Sequence, residues 1–532
     1  MEESVNAPRN VLLAAILVIF AASLSTASDI YIAQNAAGGN TGADCSDAHA
    51  AAWFNSSSNW GSNASQIGPG TTVHLCGTFN APAGASGYLT FQAGGNSGNP
   101  ITLIAEQGVI LQAPYWGQNG AINTGGYGYL TLNGNNNGTI QATANGTNQA
   151  NQAPNCGGNL VCTSGIYAAS CENCTIENWT IANIYVNVGP NDESVAGEGS
   201  HGIFFADGNN TTITGNTIHD MKWGISTHFC GDSNWTFSNN TVYNIDHGVA
   251  VFSDNTGCAL TTLTINGNTI HDFANWDDNG NANHHDGIHI SPTASGSSIT
   301  EAYIYDNYIY GDPGTHGNAA FFMEGTPGVI TTLQIFNNLY VNPSTSDTWA
   351  DAVINEGIGN VGVVIADNTL IGSTTAQGNG AGIAIETNDS SGNAAKIENN
   401  IIDNFNRGVY VNPGSTTPAT SHNDYYNVAY VGSGANGNTY STLSSWQSYC
   451  SCDANSVNGN PLLTGTYQLA SSSSAAWQTG VNLTSLGITA LDSDKAGVAR
   501  PTSGAWAIGA YYDSGSGDAQ PSPPTGLSAQ VQ

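Results

Sequence analysis

Nine of the twelve histidines fall between His201 and His316: His201, His219, His228, His247, His271, His284, His285, His289 and His316. Imidazoles beside carboxylates can do general acid–base work or ligate a divalent ion. The densest stretch is His284-His285-Asp286-Gly287-Ile288-His289-Ile290. Asp286, Asp272, His285, His289 and His247 are the candidates for proton transfer. The same window holds aromatic rings with polar edges: His219, Trp223, Tyr243, His271, Trp276, Tyr310 and His316. Such rings suit sugars, because the ring face lies on a CH-rich sugar face while the polar edge bonds hydroxyls. For any single histidine, a ladder of like residues stacked for stability is the simpler account; the concentration of nine favours function.

A metal reading competes. His284, His285, Asp286 and His289 could supply nitrogen and oxygen ligands. Asp277-Asp278-Asn279-Gly280-Asn281 offers oxygens to a weakly bound calcium ion, although its glycine is misplaced for an EF-hand loop. Carboxylate chemistry requires no cofactor, so weak calcium is the one ion expected, ahead of a dedicated zinc site.

The elements that position these residues come from an internal repeat. An Ile or Phe, two residues, Asn, one residue and an apolar or Tyr position recur seven times, from Ile213-Thr-Gly-Asn216-Thr-Ile218 to Ile397-Glu-Asn-Asn400-Ile-Ile402. The asparagines Asn216, Asn240, Asn268, Asn307, Asn338, Asn368 and Asn400 are separated by 24, 28, 39, 31, 30 and 32 residues. A constant motif with variable gaps reads as one coil of a β-solenoid per repeat, with loops of different length at the corners. Asn suits such a corner because it tolerates left-handed backbone and can hydrogen-bond the same Asn one coil away. A second strand opens each coil, as in Gly202-Ile-Phe-Phe, Gly224-Ile-Ser-Thr, Gly248-Val-Ala-Val and Gly287-Ile-His-Ile. Alternation turns Ile203, Ile225, Val249 and Ile288 inward.

Register then sorts the candidates. Coils stack about 4.7–4.9 Å apart. The residue three past each ladder Asn faces outward, so His219, Tyr243, His271 and Tyr310 form one column with Asp220, Asn244 and Asp272 beside it. The residue before each opening glycine forms a second: His201, Trp223, His247, Asp286, His316. The insertion from Phe273 to His285 carries Trp276 and overhangs the space between the columns; Gly189 to Ser200 is a second insertion at the same corner. One concave surface holding Asp272, His285, Asp286 and His289, roofed by the Trp276 loop, is the expectation.

Composition bounds the partners. The chain has 532 residues and a net charge of −32 with only six Lys and Arg. That balance excludes nucleic acid and anionic membranes, and repels polyanionic glycans unless calcium bridges them. Arg9, the apolar run from Val11 to Phe20 and Ser25-Thr26-Ala27 read as a signal peptide cleaved near Ala27, with no membrane insertion afterwards. Ten cysteines in an exported chain imply disulfides. Cys45 with Cys76, and Cys230 with Cys258 one repeat apart, are the expected pairs. Cys156, Cys162, Cys171 and Cys174 allow three pairings, with Cys171-x-x-Cys174 read as a structural staple, and Cys450 and Cys452 are left unassigned.

The Asn-centred repeats, the mature start Asp29-Ile-Tyr-Ile-Ala-Gln-Asn, the element Pro69-Gly70-Thr-Thr-Val-His-Leu-Cys-Gly-Thr78 and the closing segment Trp506-Ala-Ile-Gly-Ala-Tyr511 resemble the right-handed parallel β-helix repeat proteins of the pectin-lyase-like superfamily. The resemblance spans about residues 29–512 and implies an all-β, single-stranded right-handed parallel β-helix acting on carbohydrate. His285-Asp286-Gly287 resembles a catalytic segment of polygalacturonases, which would make Asp286 a catalytic carboxylate. Thr315-His316-Gly317 departs from the paired aspartates expected in the next coil, and the Arg-Ile-Lys sequence of that family is missing. The β-elimination lyases of the superfamily commonly use Arg or Lys, and Lys222 is the only basic residue near the trough.

The organisation expected is therefore a signal peptide at 1–27, an N-terminal cap and first coils at 28–160, central coils at 161–430, C-terminal coils and cap at 431–512, and a Gly/Ser/Pro linker at 513–532 that resembles the approach to a fibronectin type III module. The function expected is binding or cleavage of an extracellular polysaccharide or cell-surface glycan, hydrolase-like rather than by a basic-residue lyase. The alternative is a non-catalytic structural, adhesive or filament-forming protein, for which a rod leaves room for self-association.

Overall fold

The computed structural model describes residues 29–144, 162–185, 199–253, 255–277, 284–325, 327–343, 350–357, 360–373, 380–386 and 395–512. The segments expected to be a signal peptide (1–27) and a linker (513–532), together with Cys156 and Asp278, lie outside these residues. No helix among them is long and apolar enough to cross a membrane.

Every coil contributes a strand to one 14-stranded sheet, in which Thr211–Thr214, Trp235–Ser238, Ala259–Asn266, Ser298–Tyr305 and Val329–Phe336 are successive parallel neighbours. The chain turns at the ladder Asn, forms a short strand such as Thr269–His271, turns again and forms a third, such as His285–Ser291. Both join parallel partners one coil away. The chain is a parallel β-helix. Its core consists of one inward residue column per strand: Ile213, Phe237, Ile265 and Ile304 on the first, Ile218, Val242, Ile270 and Ile309 on the second, and Ile203, Ile225, Val249 and Ile288 on the third, all buried.

The asparagine ladder is continuous. The Oδ1 of Asn240, Asn268, Asn307, Asn338, Asn368 and Asn400 each accepts the backbone N–H of the ladder Asn one coil earlier, at 2.9–3.1 Å. It runs one rung further than the repeat suggests, to Asn423, and ends where Asn423 N–H donates to Ser456 Oγ. At its start Trp179 takes the rung, its N–H donating to Asn216 Oδ1. The ladder residues are not the left-handed ones, contrary to expectation. The residue before each carries the positive φ: Gly215 at 67°, Asn239 at 55°, Gly267 at 67° and Asp306 at 58°. The corner therefore divides the labour, one residue making the turn and the next satisfying buried backbone groups.

Disulfides join Cys45 to Cys76 and Cys230 to Cys258, as expected, and also Cys171 to Cys174 and Cys450 to Cys452. Cys162 is also oxidised. These bonds fit an oxidising compartment.

Past the last rung at Ser456 the chain leaves the coil path. It runs back along the outside of the 14-stranded sheet, where Leu483, Ile488, Leu491 and Trp506 pack on Phe336, Val364 and Ala366. Asn337 Nδ2 donates to Ser493 O and Asn399 Nδ2 to Val481 O. Arg500 lies 3.6 Å from Asp367, and Lys495 donates to Asp306 O. This brace buries carboxyls. Burial pushes Asp306 up to about 7 against the pull of Lys495 and Arg500 with Asp494 adding repulsion, and Asp367 up to about 7 against Arg500 with Glu398 adding repulsion; under the last coils burial does the same to Asp424, with Asp403 adding repulsion. Folded-state values above the unfolded ones mean that the native chain holds protons which the unfolded chain releases. Stability is then lost as pH rises through the folded values. The thermal midpoint should fall between pH about 5 and about 8. The depressed carboxyls of the histidine cluster titrate below this window and do not offset the trend. Calorimetric melts showing a midpoint that rises over that range would contradict the protonated-carboxyl picture.

Candidate functional site

The first column forms as register requires. His219, Tyr243, His271 and Tyr310 are paired on consecutive coils. Their rings stack face to face at 4.5, 5.0 and 4.6 Å, with interplanar angles of 10°, 5° and 14°. The faces expected to receive sugar are thus spent on each other, and edges point outward. His219 and His271 pair through Nδ1 with the carboxylates of Asp220 and Asp272 at 2.6 and 2.8 Å. Asp272 is largely exposed and belongs to this column; no contact joins it to Asp286.

The second column is His201, Trp223, His247, Asp286. It continues to Ala319, not to His316, because a register shift between His285 and Asp286 inserts an extra residue opposite them. His316 instead bonds Asp277 through its backbone N–H and Nδ1. Asp277 also accepts from Thr315 N–H and pairs with His285 Nε2 at 3.1 Å, which occupies both of its oxygens. Trp276 is not a sugar platform: it is buried, donates from Nε1 to Asn244 O and packs on Tyr185. Trp223 stacks between His201 and His247.

Asp286 is enclosed. Its Oδ1 accepts from Ala319 N–H and Asn318 Nδ2, and its Oδ2 faces three imidazoles: His284 Nδ1 at 2.6 Å, His247 Nε2 at 3.3 Å and His289 Nδ1 at 3.7 Å. The side chain has no exposed surface, while that of His284 is 41% exposed and is the cluster's opening to solvent. Behind the cluster sits Asp246, a residue absent from the sequence-based candidates. Its two oxygens hold His247 Nδ1 at 2.8 Å and His285 Nδ1 at 2.5 Å. His285, bonded through both ring nitrogens, is a strut between Asp246 and Asp277. Burial opposes ionisation of Asp286 and Asp246, but the imidazoles around them outweigh it and hold both carboxyls well below the usual range. Burial opposes charge on His247 and His285 as well; Asp246 in particular carries both up to about 9. His289 is pushed down by burial.

A row of glutamates extends this site. Glu324, Glu356 and Glu386 follow the strands Gly317–Met323, Asp351–Asn355 and Ala381–Ile385. Glu356 N–H donates to Met323 O and Glu386 N–H to Asn355 O, so the three stack one coil apart. Each is partly exposed. Glu324 Oε2 accepts from Ser291 Oγ at 2.7 Å and pairs with His289 Nε2 at 3.2 Å. The bonds from His289 and Ser291 hold Glu324 below its usual value. Burial pushes Glu356 up, and repulsion by Glu324 and Glu386 adds to it. The contact between His289 Nε2 and Glu324 joins the glutamate row to the histidine cluster. Beside the row, Phe322, Ile354 and Ala384 form an apolar strip. The repeat hinted at this row: Phe321-Phe-Met-Glu324, Val353-Ile-Asn-Glu356 and Ile383-Ala-Ile-Glu386 align on their inward residues.

A separate cleft of about 630 Å³ lies beyond the ends of strands Ser200–Ala206 and Thr217–Phe229, lined by Gly94, Gly128, Glu172, Asp207 and Asp232 among others. Asp232 is committed there to the N–H groups of Gly208 and Cys230.

No protein-family model and no curated protein matches the chain. Among solved structures it is similar to the pectate lyase Pel9A, at 14% identity and a TM-score of 0.42 over 92% of this chain and 97% of that one. It is also similar to XylC in its complex with xylose, at 9% and 0.43 over 91% and 98%. The catalytic unit of a thermostable GH87 α-1,3-glucanase from Streptomyces thermodiastaticus gives 12% and 0.41 over 74% and 62%. The likeness is one of fold.

Proposed function

We propose that this is a secreted carbohydrate-active protein that binds and cleaves a neutral or weakly charged extracellular polysaccharide, in the manner of a glycoside hydrolase, with Glu324 and Glu356 as its two carboxylates. The observation that carries this reading is a pair of stacked, partly exposed glutamates in different surroundings: Glu324 is bonded by His289 and Ser291, which hold it low, while Glu356 lies between Glu324 and Glu386, and burial with their repulsion pushes it up. Environments that drive two carboxyl groups apart assign one as ionised nucleophile and the other as proton donor. One coil sets their backbones about 4.8 Å apart along the stack, and retaining enzymes use two carboxyl groups roughly 5–5.5 Å apart. Glu356 would protonate the departing glycosidic oxygen, Glu324 would attack the anomeric carbon, and Glu356 would then activate the water that releases the sugar. Asp286 and His247 act behind them, fixing His289 and through it Glu324.

A net charge of −32 favours neutral chains over uronates. Affinity electrophoresis in gels containing neutral or uronic-acid polysaccharides tests this. Retardation by at least one neutral polymer, without calcium, is expected; retardation by uronates alone would overturn the substrate class.

A further inference from the structure

We propose that His247, His284, Asp286 and His289 bind one divalent transition-metal ion of the zinc class through three imidazole nitrogens and one carboxylate oxygen. Four polar atoms converge there: His247 Nε2, His284 Nδ1, Asp286 Oδ2 and His289 Nδ1. All four are buried, and none has a partner aligned for a hydrogen bond. His247, Asp286 and His289 are 3%, 1% and 6% exposed. Buried polar atoms without aligned partners are costly, and four around one point imply a shared occupant.

The spacing fits an ion. Ligands bonded at about 2.0–2.1 Å to a tetrahedral zinc stand roughly 3.4 Å from one another. Asp286 Oδ2 lies 3.3 Å from His247 Nε2 and 3.7 Å from His289 Nδ1. The donor atoms of His247, His284 and Asp286 all lie within 4.8 Å of each other. The contact of 2.6 Å to His284 Nδ1 must open, and His284 is the ring with room to move, being the most exposed of the four.

The far side of three ligands is already held. Asp246 takes His247 Nδ1, Glu324 takes His289 Nε2, and Ala319 N–H with Asn318 Nδ2 takes Asp286 Oδ1. A carboxylate behind a ligating histidine fixes the ring and the tautomer that leaves its other nitrogen free for metal. Both buried histidines have one. Three imidazoles and one carboxylate suit zinc and its neighbours, whereas calcium takes six to eight oxygens. This differs from the calcium reading of Asp277 and Asp278. With four protein ligands the ion would be structural, tying the coil of His247 to the coil of Asp286 and fixing His284 at the end of the long corner insertion.

The test uses the mature full-length chain, stripped with a chelator and titrated with Zn²⁺ against a chromophoric competitor, then with Co²⁺. One Zn²⁺ per chain and the intense visible bands of tetrahedral cobalt are expected. His284→Ala should weaken zinc binding by roughly 100-fold or more. Asp246→Asn should weaken it by about 10–100-fold while circular dichroism stays native. His49→Ala, remote from the cluster, should leave it unchanged. Uptake below one equivalent, or uptake unaltered in His284→Ala, would overturn the site. If Asp246→Asn fails to fold, the exposed His284 still decides the question. The inference does not rest on the glycan reading, and these measurements need no glycan, so either can fail while the other stands.

Discussion

Glu356→Gln is expected to slow cleavage of the polymeric substrate by about 10²–10⁴-fold, the contribution of a positioned general acid. The substitution keeps the side chain's size and removes a group that burial and two neighbouring glutamates already press toward neutrality. The fold should therefore be unharmed, and the melting temperature equal or higher. The loss should depend on the leaving group: an activated aryl glycoside, which departs without a proton, should lose far less at the first step. The wild-type rate should decline as pH rises through the elevated value of Glu356, and this limb should vanish in the variant. Glu324→Gln should be as damaging with either leaving group, because it removes the attacking oxygen. Release of reducing ends, measured with both substrates, checks these outcomes. Equal loss on both substrates in Glu356→Gln would remove that residue from the proton-donor role.

Asn268→Ala should produce a large loss of stability. Its Nδ2 donates to Phe237 O, Asn266 O and Asn307 Oδ1, and its Oδ1 accepts from the N–H and Nδ2 of Asn240. All lie in the buried corner. At about 0.5–1.5 kcal/mol per hydrogen bond, with stranded partners adding to the cost, the destabilisation should reach about 3 kcal/mol or more. Because neighbouring coils share these bonds, the rod should open from the middle and unfold with a broader transition. Denaturant melts of Asn268→Ala and of Asn244→Ala, which lies outside the ladder, make the comparison; similar midpoints would remove the ladder from its role.

The fold was legible because its signal is periodic. Asn216 to Asn400 mark the corners, the inward isoleucines mark the strands, and the spacing of Cys230 and Cys258 matches one coil. The two columns also followed from parity. Where the periodicity breaks, side-chain direction no longer follows from spacing. His316 was placed by its following glycine, but the residue equivalent to Gly287 is Ala320, and the extra residue before it shifts the register. Asp246 sits at a corner, where neither strand parity nor the Asn motif assigns a direction. The glutamate row lies one residue beyond the strands and past the histidine-rich stretch that ends at His316. Trp276 resembles an exposed platform in sequence, yet it is swallowed by a contact to Tyr185. The C-terminal brace joins residues such as Asn337 and Ser493, 156 positions apart, and no local pattern foretells it.

The central claim is hydrolysis by a glutamate pair on a β-helix, and the most direct test is the chemistry of the new chain ends. The protein is incubated with a panel of neutral polysaccharides in heavy-oxygen water, and the products are read by mass spectrometry. Saturated oligosaccharides carrying one solvent oxygen at the new reducing end, released first with retained anomeric configuration, are the predicted result. Unsaturated, unlabelled ends would mean elimination, and polymers bound but left intact would mean a binding protein; either result contradicts the assignment of Glu324 and Glu356.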